Sequence, residues 1–315
     1  MLSMKQLRYF EALSRLRHFG HAADECAVSQ PALSMKIQEF ESRLGVALIE
    51  RRRGGVKLTH AGEEIARRAR AILASVRDLS DYARNSAGSL VGELVLGAIP
   101  SIAPYLLPAA LPLVRERHPA LELTLRETQT ATLLGELLAG QLDAILLSLP
   151  IGHHPELASL ALFTDRFLLA TSSAAPFDET KPLTPEGVQH ENLLLLEDGH
   201  CLRDQALAFC GSSTAMRERF GATSLSTIVQ LVANGYGITL LPEMAVPIEV
   251  GTDERIRLHR FMGPEPSRSI GLVWRRTSPR AEDFVALGHI LAEVGAKPAS
   301  ARASPATRFD MHTSA

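Results

Sequence analysis

The chain has 315 residues, of which 46% are hydrophobic and 22% charged, and a formal charge of −2. That is enough chain for about two domains and too apolar for wholesale disorder, yet no run approaches the ~18 apolar residues of a membrane span. Lys5, Arg8 and Glu11 interrupt the N-terminus before a secretory core can form, and three cysteines, Cys26, Cys201 and Cys210, are too few for a disulfide-stapled scaffold, so a soluble cytoplasmic protein is expected.

The small net charge conceals an asymmetry. Residues 1–86 hold fifteen Lys and Arg against ten Asp and Glu, a surplus of +5, which leaves −7 for the rest. The front of the chain is therefore the part suited to a polyanion.

Leu7, Phe10, Leu13 and Leu16 recur at helical spacing, and the alanine-rich stretch His21–Cys26 predicts a second short helix. Ser29-Gln30-Pro31 places a hydroxyl cap and a first-turn proline ahead of a third, with Leu33, Ile37, Phe40 and Leu44 on one face and a stop at Gly45. Two helices, a short turn and a second helix with a polar opening turn describe a helix-turn-helix. Leu48 to Leu58, with Arg51, Arg52, Arg53 and a glycine turn, predicts a two-stranded wing.

Thr59 is positioned to cap a long helix from about His60 to Ser86. Its apolar residues form two seam positions, Ile65, Ile72 and Leu79 beside Ala69, Val76 and Ala83, a heptad pattern expected of a dimerising linker. Beyond Ala87-Gly88-Ser89, strands are predicted at Leu94–Ile99, Leu121–Leu125, Asp143–Leu147, Phe167–Ala170, Leu193–Leu196, Ile238–Leu241 and Ile270–Trp274, alternating with helices. From Lys297 the chain turns small and polar, and the tail 297–315 is expected to be disordered.

The segment His21 to Leu58, with Val28-Ser29-Gln30-Pro31-Ala32-Leu33-Ser34, Leu44-Gly45-Val46 and then Thr59-His60-Ala61-Gly62, resembles the DNA-binding head of the LysR-type transcriptional regulators. The likeness runs on through Val232-Ala233-Asn234-Gly235 and Gly237-Ile238-Thr239-Leu240-Leu241-Pro242 and covers nearly all the chain but the tail. A narrower resemblance lies in Glu197-Asp198-Gly199-His200-Cys201-Leu202-Arg203-Asp204-Gln205-Ala206 and Phe209-Cys210, which is similar to the redox segment of the peroxide-sensing OxyR branch of that family. Ile99-Pro100-Ser101, Pro104–Pro108, Glu127–Thr130 and Ala222–Leu225 look like segments of the same branch.

The resemblance implies a winged helix-turn-helix head over 1–59, a linker helix over 60–88 and a two-lobed α/β sensor of the periplasmic-binding-protein kind over 89–296. Lobe I would take about 89–163 and 269–296, lobe II about 164–268. It further implies double-stranded promoter DNA and RNA polymerase as partners, self-association as dimer and tetramer, hydrogen peroxide as signal, a glutaredoxin- or thioredoxin-type reductant, and no cofactor, metal or enzymatic turnover.

In such a head, Gln30 and Ser34 share a helical face. Gln reads adenine bidentately, Ser reaches base or phosphate, Lys36 neutralises phosphate, and Ser29 and Pro31 shape the opening turn. Arg51, Arg52 and Arg53 would lie where a wing meets the minor groove. Cys26, among alanines, is most simply a small buried apolar residue.

Cys201 and Cys210 are nine residues apart, so the intervening segment could bring the sulfurs together or hold them apart. His200, Arg203 and a helix start would favour the thiolate if they face it. The resemblance makes Cys201 the peroxidatic thiol and Cys210 the resolving one, and it points to Ser101, Thr130, His200 and Arg268 as the peroxide pocket with Arg203 beside it. The plainer readings are a helix cap for Thr130 and a surface ion pair for Arg268. Two departures stand out: Ser101 replaces the usual threonine, and Arg219-Phe220-Gly221 replaces a segment where close relatives can carry histidine and arginine. Rival readings are a metal held by Cys201, Cys210, His190 and His200, which lacks paired C-x-x-C spacing, a regulator whose crevice takes a small carboxylate, and a thiol peroxidase.

Overall fold

The computed structural model describes residues 2–52, 55–84, 90–174, 183–188, 192–210, 222–263 and 265–296. The tail, Arg53, His190 and the Arg219-Phe220-Gly221 departure lie outside the described residues, as do the side chains of Arg51, Arg52 and Ala83. The chain forms two compact units, one built on Met1–Ala87 with Leu134–Asp143 and Thr277–Arg280, the other on the remainder.

Three helices open the first unit: α1 (Met4–Leu16), α2 (Phe19–Glu25) and α3 (Gln30–Leu44). Ser3 and Gln6 close a capping box on α1, and the Ser29 side chain accepts from Ala32 N–H to start α3. The cap of α2 is a histidine: His18 Nδ1 accepts from the N–H groups of Gly20 and His21, so this helix begins earlier than its alanines suggested. Phe10, Leu13, Leu33, Ile37 and Phe40 meet in a closed core, with the Phe10 and Phe40 rings 5.5 Å apart. The wing is a hairpin of β1 (Ile49–Arg52) and β2 (Gly55–Leu58).

Helix α4 (His60–Arg84) follows. Thr59 Oγ1 accepts from Gly62 N–H at 2.9 Å and donates to Ala47 O at 2.8 Å. Gly62 is required for packing, because a Cβ there would run into the Leu48 carbonyl. The heptad stripe divides along the helix: Ala66 and Ala69 belong to the head's own core with Ile65 against it, while Ile72, Val76 and Leu79 are exposed, Leu79 to 69%. Among the described residues of the stripe, the exposed ones lie in its later half.

The rest of the chain is α/β: β3 (Gly92–Ala98), α5 (Ala103–Arg117), β4 (Leu121–Glu127), α6 (Thr130–Leu138, which groups with the first unit from Leu134), β5 (Ala144–Leu149), β6 (Leu157–Ser172), α7 (Pro185–Val188), α8 (Cys201–Cys210), α9 (Leu225–Ala233), β7 (Thr239–Pro242), α10 (Val246–Glu249), β8 (Ile256–His259), β9 (Ser267–Arg275) and α11 (Ala281–Gly295). The sheet order is β4-β3-β5-β9-β6-β7, with β8 also on β6. Strands β3, β4 and β5 run parallel, and β9 pairs antiparallel with both β5 and β6. Strand β6 changes partners at its middle, pairing with β9 up to Arg166 and with β7 and β8 from Phe167. That change of partner makes two lobes from one sheet path.

Two strand expectations need correction. Leu193–Leu196 makes only single bridges, Leu193 to Ile238 and Leu196 to Ala222, so no ladder forms. The strand expected at Phe167–Ala170 begins ten residues earlier, at Leu157, because the first half of β6 alternates buried and exposed residues instead of running apolar.

Gly62→Ala is expected to destabilise the head by about 1–3 kcal/mol, the usual cost of overpacking. Loss of a fraction of helical signal at lower temperature than in the parent chain, followed by circular dichroism, checks it.

Candidate functional site

Helix α8 carries both sensor candidates, Cys201 as its first residue and Cys210 as its last. Leu202, Ala206 and Cys210 form its buried face, while Cys201, Asp204, Gln205 and Ala208, at i, i+3, i+4 and i+7, line a cavity of about 600 Å³. Nine residues at 1.5 Å and 100° each put the two thiols roughly 13.5 Å apart along the axis and on opposite sides of the helix, against the about 4.4–6.8 Å between Cα atoms that a disulfide needs. Of the two possibilities open in the sequence, the structure adopts the one that holds the sulfurs apart, and the same separation prevents them from sharing a metal ion. Among the described residues no group of three or more potential ligands is poised for one.

The start of α8 is set by the loop before it. Gly199 has φ +92°, and a Cβ there would lie 2.7 Å from the Gln129 side chain, so the tight turn into Cys201 requires glycine. Arg203 turns back on this loop, its Nε 2.8 Å from Asp198 Oδ1 and its Nη1 3.2 Å from the Leu196 carbonyl. These contacts hold Arg203 against the loop before α8, and it is not among the residues lining the cavity beside Cys201.

Arg268, expected as a surface pair on the plainer reading, is 3% exposed. Its Nε donates to Asp165 Oδ2 at 3.0 Å, Nη1 to Ser101 Oγ at 2.8 Å, and Nη2 to Ser101 O at 2.8 Å and to Met244 Sδ at 3.6 Å. The guanidinium also lies over the Phe167 ring, 5.7 Å from its centroid. Asp165 and Arg268 are register partners on β6 and β9, and Asp165 Oδ1 accepts from Met244 N–H at 3.1 Å.

The expected pocket residues divide between two cavities. Thr130 and Arg268 join Cys201 around the first. Ser101 and His200 line a second, of about 580 Å³, with Tyr105, Gln129, Thr223 and Glu249. Ser101 reaches the thiol side only through its hydrogen bonds to Arg268. Across this second cavity Tyr105 Oη donates to Glu249 Oε1 at 2.6 Å.

Burial pushes the Cys201 thiol above its ordinary pKa, and Asp204 adds to that; Arg268, the Thr130 hydroxyl and a backbone N–H at the helix start pull the other way. Of the groups foreseen as activators, the helix start contributes, and Arg268 takes the part given to His200 and Arg203. His200 is itself held below its ordinary pKa by burial, against the opposing charge of Glu197. Cys210 has burial alone acting on it and is pushed up to about 11. Gln205 Oε1 is buried without a hydrogen-bond partner, Gln205 Nε2 donates to Ser148 Oγ at 2.6 Å, and the buried Thr130 hydroxyl is in reach of the Cys201 sulfur, whose thiolate it favours. Gln205, Asp165 and Ser148 were missed in the sequence; only the i+4 spacing of Gln205 from Cys201 signals any of them.

In the head, Gln30 and Pro31 are exposed at the start of α3, with Ser34 half-buried beside them. Lys36 Nζ lies 2.9 Å from Glu39 Oε2, so its charge is partly shared within the helix. Met35, 54% exposed on the same helix, was not foreseen and offers an apolar contact of the kind that reads a thymine methyl. Cys26 is half-buried, not buried, at the end of α2.

Residues 4–63 match the bacterial regulatory helix-turn-helix protein model of the lysR family, and residues 87–295 match the LysR substrate binding domain. The chain belongs to the LysR family of bacterial regulatory proteins. Within it, the chain is 42% identical over 279 residues to the DNA-binding transcriptional dual regulator OxyR of Escherichia coli K12, covering 88% of this chain and 91% of that protein. It is also similar to a cysteine variant of full-length OxyR from Pseudomonas aeruginosa, with TM-score 0.75 and 32% identity over 92% of this chain and 95% of that one. A hydrogen-peroxide-bound cysteine variant of OxyR from Corynebacterium glutamicum has TM-score 0.64 and 36% identity, covering 96% of each chain.

Arg268→Gln removes the strongest group favouring the Cys201 thiolate. The pH midpoint for alkylation of Cys201 is therefore expected to rise further, and its rate at pH 7.5 to fall about tenfold per unit of midpoint gained. Iodoacetamide labelling across pH, read on the Cys201 peptide, measures it.

Proposed function

We propose that the chain is a transcriptional regulator that senses hydrogen peroxide by oxidation of Cys201 and locks the change as a Cys201–Cys210 disulfide. The observation that carries this reading is a half-buried thiol at a helix start, lining a cavity with a buried threonine hydroxyl and a buried arginine that both favour its thiolate form. The OxyR relatives support it, one of them described as bound to hydrogen peroxide.

The thiolate sulfur attacks one peroxide oxygen, the O–O bond breaks, and the second oxygen leaves as hydroxide that takes a proton to become water. Cys201 is then a sulfenic acid. The thiolate of Cys210 attacks that sulfur, expelling the hydroxyl as water and forming the disulfide. Thr130 and Arg268 are the groups placed to hold the peroxide and stabilise the departing oxygen. A thiol reductant of the glutaredoxin or thioredoxin type would return two electrons and reopen the bond. The output of the cycle is the redox state of the switch and its effect on promoter binding, so on this reading the protein acts as a regulator.

The head binds promoter DNA through α3, with Gln30 and Ser34 reading bases, Ser29, Pro31 and Lys36 at the phosphates, and Arg51, Arg52 and Arg53 on the wing. Ile72, Val76 and Leu79 form the dimer contact, and pairs of dimers assemble as tetramers that recruit RNA polymerase in the cytoplasm. No helix among the described residues is long and apolar enough to cross a membrane. A second reading is kept by the cavity of about 580 Å³ between the lobes: a small ligand there would give a response that survives Cys201→Ser.

Cys201→Ser is expected to abolish the effect of dilute peroxide on promoter binding. Cys210→Ser should still oxidise at Cys201, fail to form the disulfide and proceed to the sulfinic acid. Mass spectrometry of both variants with a promoter-binding assay tests this, and a normal response from Cys201→Ser transfers the function to the ligand reading.

A further inference from the structure

Arg268 is the strongest group favouring the Cys201 thiolate, yet its charge is not free. The Asp165 carboxylate binds it through Nε, and the two side chains are 1% and 3% exposed. We propose that Asp165 is a sensitivity-determining residue: by anchoring and neutralising Arg268 in the buried layer behind the thiol, it restrains the positive charge that would otherwise draw Cys201 into its reactive form. This rests on Cys201 being the sensing thiol.

The argument is one of charge balance in a dry site. A buried cation with a carboxylate at hydrogen-bond distance presents a dipole to its surroundings, whereas the cation alone presents a full charge. Asp165 is held in this role from two sides, since its second oxygen accepts from Met244 N–H and the strand register fixes it opposite Arg268. Among the described residues, no other carboxylate is hydrogen-bonded to the Arg268 guanidinium. Asp204, on α8 itself, disfavours the thiolate, and burial disfavours the charged form of His200 before the helix. On the far side of Arg268 the Tyr105 hydroxyl is bound to Glu249, with Glu127 near it. Arg203 is paired with Asp198. With Asp165 neutral, the full charge of Arg268 acts on the Cys201 thiolate, which it already favours.

The proposal concerns how readily the thiol ionises, and so separates from whether peroxide is sensed at all. The full-length reduced chain and its Asp165→Asn variant would be alkylated with iodoacetamide from pH 5 to 10. Trypsin cleaves after Arg203, so Cys201 and Cys210 are read on different peptides. The variant should show its Cys201 midpoint about one unit lower, and about tenfold faster alkylation at pH 7. Asp165→Glu, which keeps the charge, should return the midpoint towards that of the parent. If the Asn variant does not fold, Asp165→Ser, which leaves room for water around the guanidinium, should show the same downward shift. A midpoint that is unchanged or higher in the folded neutral variant overturns the proposal. Failure of the parent Cys201 to react with peroxide would instead overturn the sensing reading, leaving the midpoint comparison intact.

Discussion

The guanidinium of Arg268 is the charge around which the α/β unit is arranged. Burying an ion is costly unless it is paired and its hydrogen bonds are met. Here it is paired with Asp165 and bonded to Ser101 from the first lobe and Met244 from the second. Removing one partner of such a pair typically costs about 3–5 kcal/mol, so the site resists gradual deformation. Arg268 thereby joins the lobes where β6 changes partners, and it sets the electrostatics at Cys201 from the same place. Structure and sensitivity are coupled through one side chain.

Against this fixed frame, α8 is the element able to change. Closing a disulfide over its ten residues would constrain the unfolded chain by roughly 2.5–3 kcal/mol in the chain-entropy model. Unwinding it would expose the buried Leu202, worth about 1.5–3 kcal/mol, and would forfeit the Phe209–Phe261 edge contact at 5.0 Å. The two sums are of the same size. On the proposed switch, the reduced helix would persist until a sulfenic acid supplies the chemical driving force, and the disulfide would be weak enough to be reopened. The high pKa of Cys210 fits this order, since a buried thiol on the core face stays protonated and inert until the helix loosens.

The head was legible in the sequence because its signals are local: Ser29 caps three residues ahead, Thr59 and Gly62 act within one turn, and apolar residues repeat at helical spacing. The α/β unit was legible where strands are fully buried, as in β5, and illegible where burial alternates, as in the first half of β6, or where a strand is short and charged, as in β8. The site was harder. The Cys201 window stood out only through its resemblance to known regulators, and spacing alone left the sulfurs' separation open. Asp165 and Arg268 are 103 residues apart, and no local pattern announces that β6 and β9 set them side by side. His200 was foreseen beside Cys201 from adjacency in the chain, but a helix start turns consecutive side chains towards different cavities.

The central claim is that the two cysteines can join only if α8 unwinds, and amide hydrogen exchange before and after one equivalent of peroxide tests it most directly. The account predicts that residues 202–210 lose their protection in step with formation of the Cys201–Cys210 disulfide, while β5 and β9 keep theirs. A disulfide formed with α8 still protected, or a full response of promoter binding with no change in that helix, would contradict it.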